Sequence, residues 1–460
     1  MNYIENRTFD EINIGDTVSL NRTLSMQDIQ LFAVMSGDVN PAHLDEEFAK
    51  SDMFQKIIAH GMWGGSLIST LLGTVMPGPG TIYLGQTLQF RRAVGLGDTI
   101  TVTVTAKEKD AEKKRITFDC ECINQQGKAV ITGTAEVIAP TKKIKRLQTV
   151  LPQINLHDPG AHYRRLIALT SGLEPIRTAV VHPVGRNSLI GAMIAAQVKL
   201  IVPVLIGPEA RIRAVAEAEN IDLSPFTIIP TKHSHAAAAT AVAMARAGEV
   251  QALMKGQLDT GELMEAVVAK GTGIRTERRM SHVAAMDVPN YPHPLFITDA
   301  NINIYPNLEE KRDIVQNAID LAIALGTAIP KVAILSAIEN ISSKLQSTLD
   351  AAALCKMADR GQIRGGILDG PLAFDDAISP ETAKGKGLNS PVAGQANILV
   401  APDLEAGTIL AKQLEYFAHA QAADIVLGAR VPIVLTSRAD SQLTWLASCA
   451  VALLLAHQNK

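Results

Sequence analysis

The sequence predicts two domains of different class, an α+β domain followed by a larger α/β domain. At 460 residues the chain is longer than one ordinary hydrophobic core. Alternating, strand-like segments fill residues 80–138, after one long apolar helix candidate at 61–75. Farther on, short apolar runs alternate with alanine-rich helix candidates. We therefore expect domains at 1–140 and 159–460, joined by a linker at 141–158.

The N-terminal region predicts a single helix covered by an antiparallel meander. The helix candidate is GMWGGSLISTLLGTV, and segments such as DTITVTVTA and RITFDCECI alternate apolar and polar residues. Cys120 and Cys122 lie on one face of such a segment. A metal site would need a second pair of ligands at suitable spacing, so we interpret the two as core thiols.

The linker and the C-terminal region have different compositions. PTKKIKRLQTVLP at 140–152 is basic and flanked by prolines, which favours a solvated linker. Repeated strand and helix patterns after it predict a parallel or mixed sheet covered on both faces. This region could form one large domain or two lobes with a cleft between them. The apolar run at 445–457 is too short to span a bilayer and predicts a buried terminal helix.

Composition excludes several classes of partner. Lys plus Arg number 43 and Asp plus Glu 46, so the net charge of −3 gives no argument for nucleic-acid binding. The N-terminus has neither the basic start nor the apolar core of a signal peptide. Four scattered cysteines do not make a disulfide framework. We expect a cytoplasmic protein with no nucleic-acid or membrane partner.

The segment SGDVNPAH at 36–43 predicts an acid/base pair. Asn40-Pro41 is a turn-forming dipeptide that can bring Asp38 and His43 onto one water molecule. Gly61 begins the predicted helix, where unpaired N–H groups can approach a ligand oxygen. An ordinary surface turn is the alternative, but the order of the acid, the base and the glycine favours a site.

These stretches, with IIAHGMWGGSLIS, GTIYLGQTLQF and GLGDTITV, resemble the MaoC-like (R)-specific enoyl-CoA hydratases of the hot-dog fold over about residues 10–138. The resemblance implies hydration of a trans-2-enoyl-CoA to the (R)-3-hydroxyacyl-CoA. Asp38 and His43 would hold the water, and Asn40 would fix the loop. The Gly61 N–H would polarise the thioester carbonyl, and Ser69 is a weaker candidate for lining the acyl pocket.

The same resemblance implies a dimer with the CoA tunnel near the subunit boundary. We interpret His60, which precedes Gly61, as structural. The pair His233 and His235 has no further ligands nearby and precedes an alanine run, so we interpret it as a helix start.

Three C-terminal stretches suggest an anion site. Lys255 and a glycine follow an apolar run in ALMKGQLDTGEL, although a solvated turn lysine explains that stretch alone. GTGIRTERRMSHV is a cluster of basic and hydroxyl residues that could bind phosphate or simply face water. Its candidate residues are Arg275, Arg278, Ser281 and His282. In PIVLTSRADS a strand-like run ends in Ser437-Arg438, where ligands gather in α/β sheets.

Together with DGPLAFDDAIS and PVAGQANILVAPDLEAG, these stretches resemble the phosphate acetyl/butyryltransferase family over about residues 160–460. The resemblance implies two α/β lobes like those of isopropylmalate dehydrogenase. It also implies acyl transfer between acyl-CoA and phosphate, giving acyl phosphate and CoA without a metal. Ser437 matches the serine that stabilises the transition state, and Arg438 matches the adjacent phosphate arginine.

The sequence departs from that family at two places. The acetyl branch has an aspartate, thought to deprotonate the CoA thiol, where this chain has Thr444; Asp440 is nearby. Relatives often have an arginine on the helix after MKG, where this chain has Glu262 and Glu265. Phosphate binding would then depend on the remaining arginines, Arg275, Arg438 and Arg278.

We expect a bifunctional homo-oligomer with no bound cofactor or metal, and with CoA thioesters and phosphate as its substrates. Two alternatives stay open. Only the hydratase could be active, with the C-terminal half serving as a CoA-binding or dimerisation module. The chain could also be a non-catalytic acyl-CoA sensor, which the acid/base pair fits poorly.

Overall fold

The chain forms two compact units in a computed structural model, Met1–Leu156 and His157–Lys460. The structure describes residues 2–152, 154, 156, 158, 160–436 and 440–458. Ser437 and Arg438, the two catalytic residues predicted for the C-terminal half, therefore lie outside the described residues.

The first unit is an α+β unit. Its elements are β1 (Tyr3–Glu5), a 3-10 helix (Phe9–Glu11), β2 (Thr17–Thr23), α1 (Met26–Ser36), α2 (Pro41–Leu44), α3 (Glu46–Ser51), α4 (Gly61–Thr74), β3 (Ile82–Phe90), β4 (Thr99–Asp110), β5 (Arg115–Asn124), β6 (Ala129–Ile138) and β7 (Lys145–Leu147).

A five-stranded antiparallel sheet in the order β2-β4-β5-β6-β3 packs on the long helix α4. Ile68, Leu71 and Leu72 of the helix are fully buried in the same core as strand residues such as Phe118. Burying apolar side chains of this size contributes about 1.5–3 kcal/mol each. The predicted helix and meander, and with them the hot-dog fold, are confirmed.

Strand β5 alternates buried and exposed residues, as expected of a strand with one face on the core. Cys120 and Cys122 both lie on the buried face. Burial raises the pKa of each thiol to about 12. The interpretation of this pair as core thiols is confirmed.

The predicted linker at 141–158 needs a correction, because part of it is ordered against the first unit. Strand β7 pairs antiparallel with β1, placing Leu147 opposite Tyr3 and Lys145 opposite Glu5. Lys143 adds an ion pair of 2.9 Å to Glu11. Basic residues interpreted as solvated thus belong to or border a short two-stranded sheet. Sequence periodicity could not reveal this sheet, because each strand has only three residues.

The second unit is an α/β unit. Its elements are α5 (Ala161–Leu169), β8 (Ile176–Val181), α6 (Arg186–Gln197), β9 (Ile201–Gly207), α7 (Glu209–Ala218), β10 (Thr227–Pro230), α8 (Ser234–Ala247), β11 (Ala252–Lys255), α9 (Thr260–Val268), β12 (Ser281–Asp287), β13 (Leu295–Thr298), α10 (Leu308–Ala324), β14 (Lys331–Leu335), α11 (Gln346–Asp359), β15 (Ile367–Leu372), α12 (Phe374–Ile378), α13 (Pro380–Gly385), β16 (Ile398–Val400), α14 (Leu404–Phe417), β17 (Gln421–Leu427), β18 (Ile433–Val434) and α15 (Gln442–Gln458).

One continuous sheet of eleven strands organises this unit, in the order β10-β9-β8-β11-β18-β17-β12-β13-β16-β14-β15. The strands from β10 to β18 are parallel to one another, as are those from β13 to β15. Antiparallel pairing at β18-β17-β12-β13 joins these two parallel sections. The sequence prediction of an α/β fold with a mixed sheet is confirmed.

Helix α15 is the predicted buried terminal helix, since residues 445–456 are all buried. Within the part of the chain that the structure describes, no helix is long and apolar enough to cross a membrane.

Candidate active sites

The loop predicted to carry an acid/base pair is ordered by short-range contacts. Helix α1 ends at Gly37, which has φ +75°, a left-handed conformation that favours glycine. The Asp38 carboxylate accepts a hydrogen bond from the Asn40 N–H at 3.2 Å. The Asn40 side chain in turn accepts from the Ala42 N–H at 3.1 Å and caps α2. Asn40 therefore fixes the turn between Asp38 and His43.

Asp38, His43 and His60 converge, with one side-chain polar atom of each within 4.8 Å of the others. Asp38 is exposed, whereas His43 is only 9% exposed. The His43 Nδ1 lies 2.9 Å from the carbonyl oxygen of Ile58. Because a carbonyl only accepts, Nδ1 carries the proton, which leaves Nε2 of the neutral ring as an acceptor. An exposed carboxylate and an imidazole lone pair thus lie side by side.

His60, which sequence analysis interprets as structural, contacts both members of this pair. Its Nε2 donates to the Asp38 carbonyl oxygen at 3.0 Å, and its ring centroid lies 3.9 Å from that of His43. The Nδ1 of His60 is buried and has no hydrogen-bond partner among the described residues. The contacts of His60 with the loop are seen only in the structure, because His60 is distant from the loop along the chain.

A cavity of about 320 Å³ adjoins this cluster and is lined by His43, His60, Gly61 and Phe90 among others. Gly61 is the first residue of α4, where backbone N–H groups have no partner within the helix. A Cβ atom at Gly61 would lie 3.2 Å from the Phe90 ring, so glycine suits this crowded position. Ser69 is exposed on α4 and does not line this cavity.

A second cavity of about 370 Å³ lies in the C-terminal unit and brings together Lys255 and His282. Lys255 ends strand β11, is 5% exposed, and its Nζ donates to the Thr436 carbonyl oxygen at 3.4 Å. Thr436 lines the cavity and directly precedes Ser437 in the chain. After Lys255 the chain passes so close to β8 that a Cβ at Gly256 would lie 2.4 Å from the Val181 carbonyl oxygen. Close packing of strands thus explains the glycine of the MKG motif.

A buried histidine and carboxylates line or adjoin this second cavity. His282 and Asp424 are 4% and 8% exposed, and His282 Nε2 lies 3.3 Å from Asp424 Oδ1. This is an ion-pair contact whose geometry falls short of a hydrogen bond. Burial opposes a charge on the ring, but the carboxylates of Asp424 and Asp299 outweigh it and raise the pKa of His282. Asp299 also accepts from the His282 N–H at 3.3 Å.

Sequence reasoning missed Asp424, Asp299 and Lys412. Asp424 was detectable as the one acid within the apolar strand run QAADIVL. Lys412, on α14, lines the cavity and lies 2.7 Å from Glu415. Burial alone would lower the pKa of Lys412. Neighbouring carboxylates, led by Glu415, raise it, and the net effect is an increase in this pKa.

Three predicted phosphate-binding residues lie away from this cavity. Arg275 is exposed and pairs through its backbone with Ala429. Arg278 forms an ion pair of 2.5 Å with Asp320 on α10. Ser281 is fully buried, and its Oγ accepts from the Asn317 side chain at 2.8 Å. Arg275 and Arg278 precede strand β12, whereas Ser281 and His282 are its first two residues and point to opposite faces of the sheet. The predicted cluster is thus divided.

The positions that depart from the resemblance have structural roles. The Thr444 N–H donates to Ser441 Oγ at 3.2 Å in the first turn of α15. Asp440 Oδ1 lies 3.9 Å from Lys412 Nζ. Glu262 accepts from Ser234 at 3.2 Å, next to the start of α8.

The prediction that His233 and His235 mark a helix start is confirmed. The His233 ring accepts from the Ala236 N–H at 3.2 Å as the N-cap of α8. His235 lies 3.2 Å from Glu262.

Comparison with known proteins places both units in families. Residues 232–453 match the family model described as "Phosphate acetyl/butaryl transferase", and residues 11–125 match "MaoC like domain". A phosphate acetyltransferase of Rhizobium meliloti is 60% identical over 298 residues, which is 65% of this chain and 94% of the relative. The chain belongs to the phosphate acetyl/butyryltransferase family. It carries a MaoC-like domain ahead of that family's domain.

Solved structures align with each unit of this family member. A branched-chain phosphotransacylase from Enterococcus faecalis is 27% identical with a TM-score of 0.55, covering 61% of this chain and 99% of that chain. The R-hydratase PhaJ1 from Pseudomonas aeruginosa is 42% identical with a TM-score of 0.33, covering 34% of this chain and 100% of that chain. The first of these likenesses supports the predicted phosphotransacylase fold of the C-terminal unit.

Proposed function

We propose that the chain is a bifunctional CoA-thioester enzyme. Its N-terminal unit hydrates trans-2-enoyl-CoA to (R)-3-hydroxyacyl-CoA, and its C-terminal unit transfers acyl groups reversibly between CoA and phosphate. The observation that supports hydratase activity is the convergence of Asp38 and His43 beside a cavity that Gly61 helps to line. The observation that supports transfer is the extent of the match to phosphate acetyltransferases.

In the hydratase, a water held between Asp38 and His43 attacks C3 of the enoyl thioester. One of the two residues takes the proton of the water, and the other delivers a proton to C2. In the tautomer that the contact with Ile58 indicates, Nε2 of His43 can accept the proton of the water. Asp38 must then enter the step protonated to deliver a proton to C2, and it leaves the step as the carboxylate. The Gly61 N–H stabilises the charge that develops on the thioester oxygen. The resemblance, and not the geometry, supports the (R) product.

In the transferase, phosphate attacks the thioester carbonyl of acyl-CoA, and the reverse reaction attacks acyl phosphate with the CoA thiol. Lys255 contributes a buried positive charge at the cavity wall. By the resemblance, Ser437 and Arg438 would stabilise the carbonyl oxygen and bind phosphate. Thr436, which precedes them in the sequence, lines the cavity. Arg278 is paired with Asp320 away from the cavity, so we assign phosphate binding to Arg438 on the resemblance.

We expect the enzyme to work in the cytoplasm as a homo-oligomer, without a bound metal or cofactor. The edge strand β3 supports self-association of the N-terminal unit, since Ile82, Leu84 and Phe90 are exposed on it. Linking the two units raises the local concentration of CoA thioesters that both can bind.

Two assays on the purified full chain test this proposal. Loss of enoyl absorbance from crotonyl-CoA measures hydration, and phosphate-dependent release of CoA from acetyl-CoA and butyryl-CoA measures transfer. Both activities are expected. Hydration alone would support a C-terminal CoA-binding module, whereas CoA binding with neither activity would support an acyl-CoA sensor.

A further inference from the structure

Acyl transfer to CoA requires a group that removes the thiol proton, because a thiol of pKa about 8.5 is mostly protonated at neutral pH. The position that supplies this group in the acetyl branch is Thr444 here. The Thr444 N–H donates a hydrogen bond to Ser441 Oγ, and the Thr444 carbonyl oxygen accepts one from Ser448 Oγ at 2.7 Å. Thr444 also has no ionisable side chain, so the base must lie elsewhere on the cavity wall.

Asp424 lies on that wall, in strand β17, which is next to β18. Strands β17 and β18 pair antiparallel, and the Leu435 N–H donates to the Asp424 carbonyl oxygen at 3.3 Å. Ser437 is two residues beyond Leu435 in the chain. The Asp424 N–H donates to Ser448 Oγ at 2.9 Å, which fixes the strand against α15. A carboxylate is thereby held beside the chain that runs from β18 to Thr436 on the cavity wall.

The carboxylate of Asp424 lies against a buried histidine. His282 lies 3.3 Å away, and both residues are at least nine-tenths buried. Asp299 accepts a hydrogen bond from the His282 backbone N–H at 3.3 Å, which anchors the main chain at this residue.

The other acids near the cavity are less suited. Glu415 forms an ion pair with Lys412 at 2.7 Å, which compensates its negative charge. Asp259 is exposed at the start of α9. Asp440 lies near the same lysine and does not line the cavity.

We propose that Asp424 is the general base that accepts the thiol proton of CoA, with His282 as its positioning residue. The inference deepens the proposed transferase and rests on it. As acyl phosphate reacts, the thiol proton passes to the Asp424 carboxylate, and the sulfur forms a bond to the acyl carbon. The carbon–oxygen bond to phosphate then breaks, and the proton passes to the departing phosphate. In the reverse direction Asp424 returns a proton to the CoA thiolate.

Acyl transfer from acetyl phosphate to CoA, measured from pH 6 to pH 9, tests this assignment with Asp424→Asn. At pH 7 we expect a loss of about 10²- to 10⁴-fold in kcat. The remaining activity should rise about tenfold per pH unit up to about pH 8.5, because only spontaneously formed thiolate can then react. The wild type should vary much less with pH over this range than Asp424→Asn. Asp440→Asn is the matched control and should keep the wild-type profile.

A second variant addresses folding. Asp424→Ala leaves space in the cavity wall, and added formate should restore part of its activity by acting as the missing base. A flat profile in Asp424→Asn without formate rescue of Asp424→Ala would overturn the assignment, and a steep profile in Asp440→Asn would move the role to Asp440. Absence of transfer in the wild type would instead overturn the proposed function, and this assignment with it.

Discussion

The two candidate sites are assembled in different ways. In the N-terminal unit the site lies on one loop and one helix start, between Asp38 and Gly61. In the C-terminal unit the cavity combines the ends of strands β11 and β18 with residues of β12, β17 and α14. The first site is local in sequence, whereas the second depends on sheet order.

This difference determines what a change at each site should do. The N-terminal site is exposed at Asp38 and is held by loop hydrogen bonds. The C-terminal site is a set of buried charges that compensate one another, among them His282 and Asp424. Substitutions should therefore affect chemistry more than stability in the first unit, and both in the second.

The largest expected effect is on hydration. Asp38→Asn preserves size but removes the acid/base function, so crotonyl-CoA hydration should fall by about 10²- to 10⁴-fold. Initial rates and KM from enoyl absorbance measure this. Phosphate-dependent CoA release, assayed on the same sample, should be unchanged. Hydration near the wild-type rate would remove Asp38 from the mechanism.

A buried ion pair offers the sharpest test of stability in the second unit. Lys311 on α10 and Asp350 on α11 are 2.7 Å apart, with side chains 7% and 8% exposed. Lys311→Met leaves Asp350 buried without its partner, which should cost about 3–5 kcal/mol in the free energy of unfolding. Urea unfolding followed by circular dichroism measures the change.

The control for that measurement is Lys356→Met, which removes an exposed ion pair with Asp359. We expect no measurable change in the urea midpoint there, because exposed pairs are screened by solvent. Equal effects of the two variants would contradict the description of Lys311 and Asp350 as a buried pair.

A smaller effect is expected at His60, which contacts both Asp38 and His43. His60→Leu removes the donor to the Asp38 carbonyl, and the misplaced loop should lower the kcat for hydration by about 10- to 100-fold with little change in KM. His60→Gln can keep an N–H at a similar distance and should restore most of the rate. If the two variants are equally slow, the hydrogen bond is not what positions the loop.

The smallest effect is a dependence of stability on pH in the second unit. The pKa of His282 in the folded state is raised above the unfolded value of about 6.5. Folding therefore binds a proton, and the stabilisation is complete below about pH 6.5 and lost as pH rises through the folded pKa. The urea midpoint should fall over that range in the wild type and fall less steeply in His282→Gln.

The sequence predicted the α+β and α/β classes because periodicity in β3–β6 and in the strand and helix runs is strong. It also located Asp38, His43 and Gly61, since one turn and one helix start bring them together. It did not indicate that His282 lines the cavity whereas Arg278 pairs with Asp320, because these placements depend on which elements pack around each residue. Asp424 stands out in the sequence as an acid within an apolar run, but its pairing with His282 does not, because that contact comes from the neighbouring strands β12 and β17.

The central claim is that one chain carries two independent active sites. The most direct test measures hydration and phosphate-dependent CoA release side by side in the wild type, Asp38→Asn, Arg438→Ala and the double variant. We predict that Asp38→Asn loses only hydration, Arg438→Ala loses only CoA release, and the double variant loses both. Loss of both activities in either single variant would contradict two independent sites.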